Sequence, residues 1–213
     1  YAFVLTIIDT FTRAVLHWRV GFSMKSNDVK KAWEQIIIDH LQPADMLKKA
    51  IHIEIRNDNG PQFGSKIIQS FFQKNHLNQV FTHPYTPQEN GHVESFHNIL
   101  SKALATNSFW NIDQLKERLT LFYEKYNTLR LHGSIANLPP LFFWEMWNKG
   151  LIVRKEYENK EVRFFTKIPY QKLSGNENLR EVPCLNQMAL DMPSDLSKVN
   201  GRDSLNQPTV TRA

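Results

Sequence analysis

The stretch Ile53-Glu54-Ile55-Arg56-Asn57-Asp58-Asn59-Gly60-Pro61-Gln62-Phe63 decides the reading of this chain. Its first residues alternate apolar and polar, the period of a half-buried strand, and Asn59-Gly60-Pro61 breaks the pattern. Asp58 is therefore expected at a strand's C-terminal end. Further on, Tyr85-Thr86-Pro87-Gln88-Glu89-Asn90-Gly91-His92-Val93 is a run of breakers that gives way to the helical spacing Val93, Phe96, Leu100, Ala103, Leu104. Glu94 is expected in the first turn of that helix, with 35 residues (94 − 58 − 1) between it and Asp58. Two carboxylates, one from a strand end and one from a helix start, make an oxygen-rich site of the kind that Mg²⁺ or Mn²⁺ prefers. Each also has an ordinary role, since Asp-Asn-Gly is turn chemistry and a glutamate in a first helical turn complements the helix dipole.

Working outward, Phe3 to Asp9 and Arg13 to Val20 are apolar, β-branched runs joined by Thr10-Phe11-Thr12, which predicts a hairpin. Ser26 or Asn27 caps a helix with the stripe Val29, Trp33, Ile36, Ile37 and Leu41, and Pro43 helps to end it. The strand before Asp58 is followed by a helix over about 65–74, with Ile67, Ile68, Phe71 and Phe72 inward, and by a short strand from Gln79 to Thr82. Strands alternating with helices indicate an α/β sheet. Asn111-Ile112-Asp113-Gln114 resembles a capping box that opens a helix with Leu115, Leu119, Phe122 and Tyr126 on one stripe. After Gly150 the pattern weakens, which places a boundary near 150. Residues 151–185 form a small appendage whose convincing strand-like run is Lys160 to Tyr170. Over 186–213 Asn, Ser, Asp and Pro dominate and aromatics vanish, so a disordered tail is expected there.

The 213 residues are 41% hydrophobic and 12% aromatic, an ordinary globular composition with room for one good core and an appendage. A net charge of +5 and a pI near 9.3 are compatible with a polyanionic partner, without a basic tail to carry it. The single cysteine, Cys184, excludes an internal disulfide and a multi-cysteine zinc site. No apolar run is long enough to span a bilayer, and the His spacings contain no ligand pair of the His-Glu-x-x-His type. Membrane insertion and zinc hydrolysis are the classes this disfavours.

Three separated strings carry a more specific signal: Asn57 to Phe63, then Pro84 to Gly91 with Glu94 beyond it, and Tyr126-Asn127-Thr128-Leu129-Arg130-Leu131-His132-Gly133 followed by Pro139-Pro140. In this order they resemble the catalytic core of DDE transposases and retroviral-type integrases, in particular bacterial insertion-sequence transposases, over roughly residues 1–148. The resemblance implies an α/β, ribonuclease H-like mixed sheet flanked by helices. It implies metal-dependent cleavage and strand transfer of element DNA ends, a two-metal Mg²⁺ or Mn²⁺ site in the intact enzyme, and a homo-oligomer assembled on element and target DNA. Asp58 and Glu94 would be the metal ligands. Gln88, Asn90 and Gly91 would form a mobile DNA-contacting loop, and Asn98 and Lys102, four and eight residues after Glu94, would meet phosphate oxygens. A cytoplasmic, nucleoid-associated bacterial protein follows from the same resemblance.

The family pattern has a further Asp on the first strand of its core, and this chain departs from it. Tyr1 to Arg13 looks like the family's second strand and following turn, so Asp9 is read as a turn residue. The first strand is expected to be missing, as in a fragment of a longer reading frame. Its loss would leave two inner sheet edges unpaired and a poorly stable fold. Two other readings stay open: a catalytically inactive DNA-binding or assembly remnant, and a ribonuclease H-like nuclease unrelated to transposition. Arg130 and His132 are assigned to packing of the last helices.

Overall fold

The computed structural model describes residues 1–48, 51–82, 87–105, 108–168 and 209–212. The chain opens with the expected hairpin, β1 (Phe3–Asp9) and β2 (Val15–Gly21), paired antiparallel from Phe3 with Gly21 to Ile8 with Val15. Asp9 closes its turn. One carboxylate oxygen accepts the Phe11 N–H at 3.1 Å, and the other accepts the Thr12 N–H at 3.1 Å and the Thr12 hydroxyl at 2.6 Å. Arg13 takes a left-handed backbone conformation, φ 66°, which long side chains rarely adopt. The turn thus consumes Arg13 and Ala14, and β2 starts at Val15 rather than at Arg13.

Next comes α1 (Ser26–Ile36), entered through a hydrogen bond from the Lys25 N–H to Asp28 Oδ2 at 2.9 Å and continued by one wide turn over Ile37–Leu41. A crossover unit follows: β3 (Ile53–Asn57), α2 (Lys66–Lys74) and β4 (Leu77–Phe81), with β4 parallel to β3 along its whole length. The Ser65 side chain caps α2 by accepting the Ile68 N–H. Only Ile68 and Phe72 of the four expected inward residues are fully buried; Ile67 is half exposed and Phe71 packs at the margin. Two long helices, α3 (Pro87–Leu104) and α4 (Ile112–Thr128), come next. Asn111 Oδ1 caps α4 by accepting the N–H groups of Asp113 and Gln114, while Gln114 Oε1 accepts the Trp110 N–H, so the N-cap half of the expected capping box forms and its reciprocal bond moves one residue back.

The last elements are α5 (Pro140–Asn148), β5 (Ile152–Glu156), β6 (Val162–Thr166) and β7 (Thr209–Arg212). The main sheet has the order β2-β1-β7-β3-β4. β7 is antiparallel to β1 and parallel to β3. The slot expected to be empty for want of a first strand is therefore filled by a segment from the far end of the sequence. This corrects the expectation of a disordered tail over 186–213 at these four residues; the rest of that segment lies outside the described residues. Thr209-Val210-Thr211 is β-branched and strand-favouring, and two facing edges offer it a full set of donors and acceptors.

Helices cover both faces of the sheet. On one face Leu5, Ile7, Ile53 and Ile55 join Val29, Trp33, Ile36, Ile68 and Phe72 from α1 and α2. On the other, Ile8 and Val15 join Phe96, Leu100, Leu119, Tyr123 and Tyr126 from α3 and α4. This sandwich explains why β1 is apolar nearly throughout instead of alternating. Two polar contacts fix α4 against the sheet: Thr6 and Tyr123 share a hydroxyl hydrogen bond of 2.6 Å, and the Asn127 amide both accepts from the Val15 N–H and donates to the Val15 carbonyl at 2.9 Å.

A smaller cluster crosses position 150. Ile135, Leu138, Phe143, Met146 and Ile152 pack with Trp147 and Phe164, and Phe11 from the β1–β2 turn inserts among them. Its ring meets Trp147, Phe143 and Phe164 edge-on at 4.9, 5.6 and 5.7 Å between centroids. The appendage is a hairpin, β5 with β6, rather than the lone strand expected over 160–170. Among the described residues no helix is long and apolar enough to cross a membrane.

Candidate active site

Asp58 stands one residue beyond β3, exposed, at the start of a turn assembled from local hydrogen bonds. The Gly60 N–H donates to Asp58 Oδ1 at 2.9 Å, and the Phe63 N–H donates back to the Gly60 carbonyl. A Cβ on Gly60 would come within 2.6 Å of Gln62 Nε2 and 2.9 Å of Asp58 Oδ1, so any side chain there would push the ends of these two flexible side chains aside. Phe63, 1% exposed, pins the far side of the turn into the core. The near side is held by buried Asn57, whose side-chain oxygen accepts from Gln79 Nε2 at 3.0 Å. The Thr82 N–H donates to the Asn57 carbonyl, and Asn59 Nδ2 donates to the Thr82 carbonyl. The Asp58 turn is thus tied to the end of β4, five residues before α3 begins.

Glu94 lies two turns inside α3, not in its first turn, because the helix already starts at Pro87. Proline suits a first helical position, having no N–H to leave unpaired. For the same reason Gln88, Asn90 and Gly91, expected in a mobile loop, belong to the helix; the side chains of Gln88 and Asn90 lie outside the described residues. Val93, Phe96 and Leu100 are buried, which turns Glu94, Asn98 and Lys102 outward on the opposite face. There a cavity of about 620 Å³ is lined by Gly91, Glu94, Asn98 and Lys102, with Phe122 and Arg130 contributed from α4 and beyond it. Four of the expected site residues therefore share one cavity. Asp58 is not among its lining residues. Arg130, assigned to packing from sequence, is exposed and lines the cavity instead, because α4 ends at Thr128 and releases the chain toward α3.

The two carboxylates are hard oxygen donors, suited in kind to Mg²⁺ or Mn²⁺. Among the described residues there is no group of three or more His, Cys, Asp or Glu side chains that could hold a metal ion. Asp9 does not supply a third. Its oxygens are used in the hairpin turn, and β1 runs antiparallel to β3, so Asp9 lies level with Ile55 through Val210, away from the Asp58 end. Burial raises its pKa against the lowering effect of its Thr12 and Phe11 hydrogen bonds and of Arg13.

Beside the Asp9 turn lies a cationic group. Arg13 Nε donates to Ser134 Oγ at 3.2 Å, and His132 sits edge-on to Tyr126 with 5.0 Å between ring centroids. Burial, then the positive charges of Arg130 and Arg13, hold the His132 pKa down at about 4. Burial pushes Tyr126 up to about 12. His132 thus takes the packing role expected of it.

Two family models, both described as Integrase core domain, match this chain, one over residues 1–87 and the other over 75–140. The uncharacterized 39.2 kDa protein of insertion element IS476 from Xanthomonas euvesicatoria is 25% identical over 140 residues, 65% of this chain and 38% of its own length. A protein of Escherichia coli K12 carrying a transposase name, InsK for insertion sequence element IS150, is 24% identical over 136 residues, 63% of this chain and 46% of its own. The chain spans less than half the length of either relative. In fold it is similar to the catalytic core domain of BIV integrase, with a TM-score of 0.51 at 19% identity, covering 70% of this chain and 90% of that one. Asp58 on its turn, Glu94 on its helix and the layered sheet beneath them lie within the matched span, and the chain belongs to the integrase core family of DDE transposases and retroviral integrases.

Proposed function

We propose that this chain serves DNA transposition, cutting a phosphodiester bond at element ends and joining the end to target DNA, with Asp58 and Glu94 as metal ligands. The observation that carries the reading is the α3 face on which Glu94, Asn98 and Lys102 share a cavity with Arg130. A carboxylate beside two exposed cations suits a phosphate whose charge Lys102 and Arg130 balance while Asn98 donates a hydrogen bond. A divalent cation bound by Asp58 and Glu94 would supply the Lewis acid that activates the attacking oxygen and steadies the leaving one. The Asn57–Gly60 turn presents Asp58, and α3 presents Glu94 on a rigid support. Assembly of more than one copy on DNA, and residence with the bacterial nucleoid, belong to the same proposal.

A second reading is a DNA-binding or assembly remnant without chemistry. The two readings separate in one set of assays. DNA binding is expected in both, and Lys102→Ala and Arg130→Ala should each lower the salt slope of log K by about 1 while leaving the fold intact. Mn²⁺-dependent nicking of element-end DNA, lost in Asp58→Asn and in Glu94→Gln, is expected only of the catalytic reading. Salt slopes unchanged in both cation variants would remove the phosphate assignment from the cavity.

A further inference from the structure

We infer that Gln79, on β4, is the positioning residue for Asp58: its side-chain amide ties together the two ends of the turn from which Asp58 projects, and so fixes where the candidate metal ligand points. The inference rests on the reading of Asp58 as a metal ligand and adds to it a residue from a different element.

Gln79 stands where the strand pattern calls for an apolar residue. Along β4, Leu77 and Phe81 lie on the same face as Gln79, two positions to either side, and both pack into the core formed with α1 and α2. Along β3 the same face carries Ile53 and Ile55, each 1% exposed, and then Asn57 at 2%. Both core-facing rows of this parallel pair thus contain an amide at the Asp58 end, in a register that sets Gln79 against Ile55 and Phe81 against Asn57. A polar group in such a place costs stability unless its hydrogen bonds are made. Here they are made to the Asp58 turn. Gln79 Nε2 donates to Asn57 Oδ1 at 3.0 Å and to the Phe63 carbonyl at 3.1 Å. Asn57 Nδ2 in turn donates to the Asp58 carbonyl at 2.7 Å. One nitrogen, with its two hydrogens, therefore reaches the residue before Asp58 and the residue that closes the turn, and through Asn57 it holds the Asp58 backbone. Within that clasp the Gly60 N–H meets Asp58 Oδ1 and the Phe63 N–H meets the Gly60 carbonyl. Asp58 itself is exposed, so the turn, rather than packing around the carboxylate, sets its direction. A partner that fixes the approach of a metal-binding carboxylate is commonly worth about 10–100-fold in metal affinity.

The test uses the full chain, MnCl₂ as the probe, and backbone amide exchange read by NMR. Gln79→Met keeps the length of the side chain and removes its donors. It should raise the half-saturating Mn²⁺ concentration about tenfold in titration calorimetry, and speed exchange of the Gly60 and Phe63 N–H groups while exchange over α4 stays as it was. A second variant separates positioning from stability. Asn57→Leu with Gln79→Met replaces both hydrogen-bonding partners by apolar groups of similar shape, a change close to neutral in stability. Its urea midpoint should return toward that of the unmodified chain while Mn²⁺ binding stays weak and the two amides stay fast. Recovery of Mn²⁺ affinity together with the midpoint would overturn the inference and leave Gln79 a role in stability alone; so would Gln79→Met with Mn²⁺ affinity unchanged where Asp58→Asn weakens it. If the midpoint stays low, Asn127→Ala decides as a destabilised variant away from the turn: an equal loss of Mn²⁺ affinity there overturns the inference, and full affinity there supports it. Asp58→Asn is the control on the underlying reading. If it leaves Mn²⁺ binding intact, Asp58 is not a metal ligand, and exchange at Gly60 and Phe63 then decides whether Gln79 sets the turn.

Discussion

Asp9 and Asp58 both follow an apolar strand, and their surroundings give them different work. Asp9, 5% exposed, spends its oxygens on the Phe11 and Thr12 N–H groups and the Thr12 hydroxyl. Asp58 is exposed and accepts the Gly60 N–H, with no ion-pair partner among the described residues. The turn role of Asp9 was legible in the sequence because turn chemistry is local: which N–H a carboxylate can reach is set within three residues. The position of Arg130 was not legible, since it depends on where α4 ends and how it lies against α3. The close approach at Gly60 gives a direct test of Asp58's placement. Gly60→Ala should push the Asp58 and Gln62 side chains aside and weaken Mn²⁺ binding, measured by titration calorimetry, with little change in the denaturation midpoint because both side chains are at the surface. Asn127 is the opposite case, a buried amide that serves both backbone groups of Val15 as a neighbouring strand would. Asn127→Ala should cost about 1–3 kcal/mol in urea denaturation, the penalty for stranding buried backbone donors and acceptors. A loss within a few tenths of a kcal/mol would mean that water replaces the amide.

At the scale of elements, the hairpin, the β3–α2–β4 crossover and the capped α4 follow from period, breakers and caps that act over a few residues. The misread elements have longer-range causes. The start of α3 was placed too late because Pro87, Asn90 and Gly91 count as breakers in isolation, whereas Val93, Phe96 and Leu100 docked on the sheet hold the helix as one piece. β5 escaped notice because Ile152–Glu156 is apolar only at its first positions and becomes a strand by pairing with β6. Phe11 is the joint between the sheet and this appendage. Phe11→Ala should cost less than the roughly 3–5 kcal/mol of a fully buried ring, since the residue is only partly buried. Exchange should quicken over Ile135–Thr166 before it does over β3 and β4. Uniform loosening of both regions would show that the appendage and the sheet unfold as one unit.

For the molecule as a whole, four histidines, His17, His40, His92 and His132, have pKa values lowered chiefly by burial and tie stability to pH. His132 is held at about 4 against an ordinary 6.5. The unfolded chain takes up this proton below 6.5 while the folded chain does not until about 4, so the contribution is complete above 6.5 and is lost as pH falls through that window. His17, His40 and His92 act in the same direction. Asp9, raised by burial, opposes them: its burdened carboxylate lowers stability as pH rises through its folded pKa. Urea midpoints should decline from pH 6.5 toward 4, and His132→Gln should flatten that decline; an unchanged slope would assign it to the other groups. The sheet's strand order also imposes a schedule on biosynthesis. β1–β2 and β3–α2–β4 are each local in sequence and can form as they leave the ribosome, but their common partner β7 is translated roughly 10–30 s after β3, at the usual rate of about 5–20 residues per second. Through that interval the nascent chain carries two half-sheets with naked inner edges, and a growing polysome holds many such edges side by side. The fold is therefore most exposed to mispairing between neighbouring nascent chains, and to capture by chaperones, before its last strand has been made.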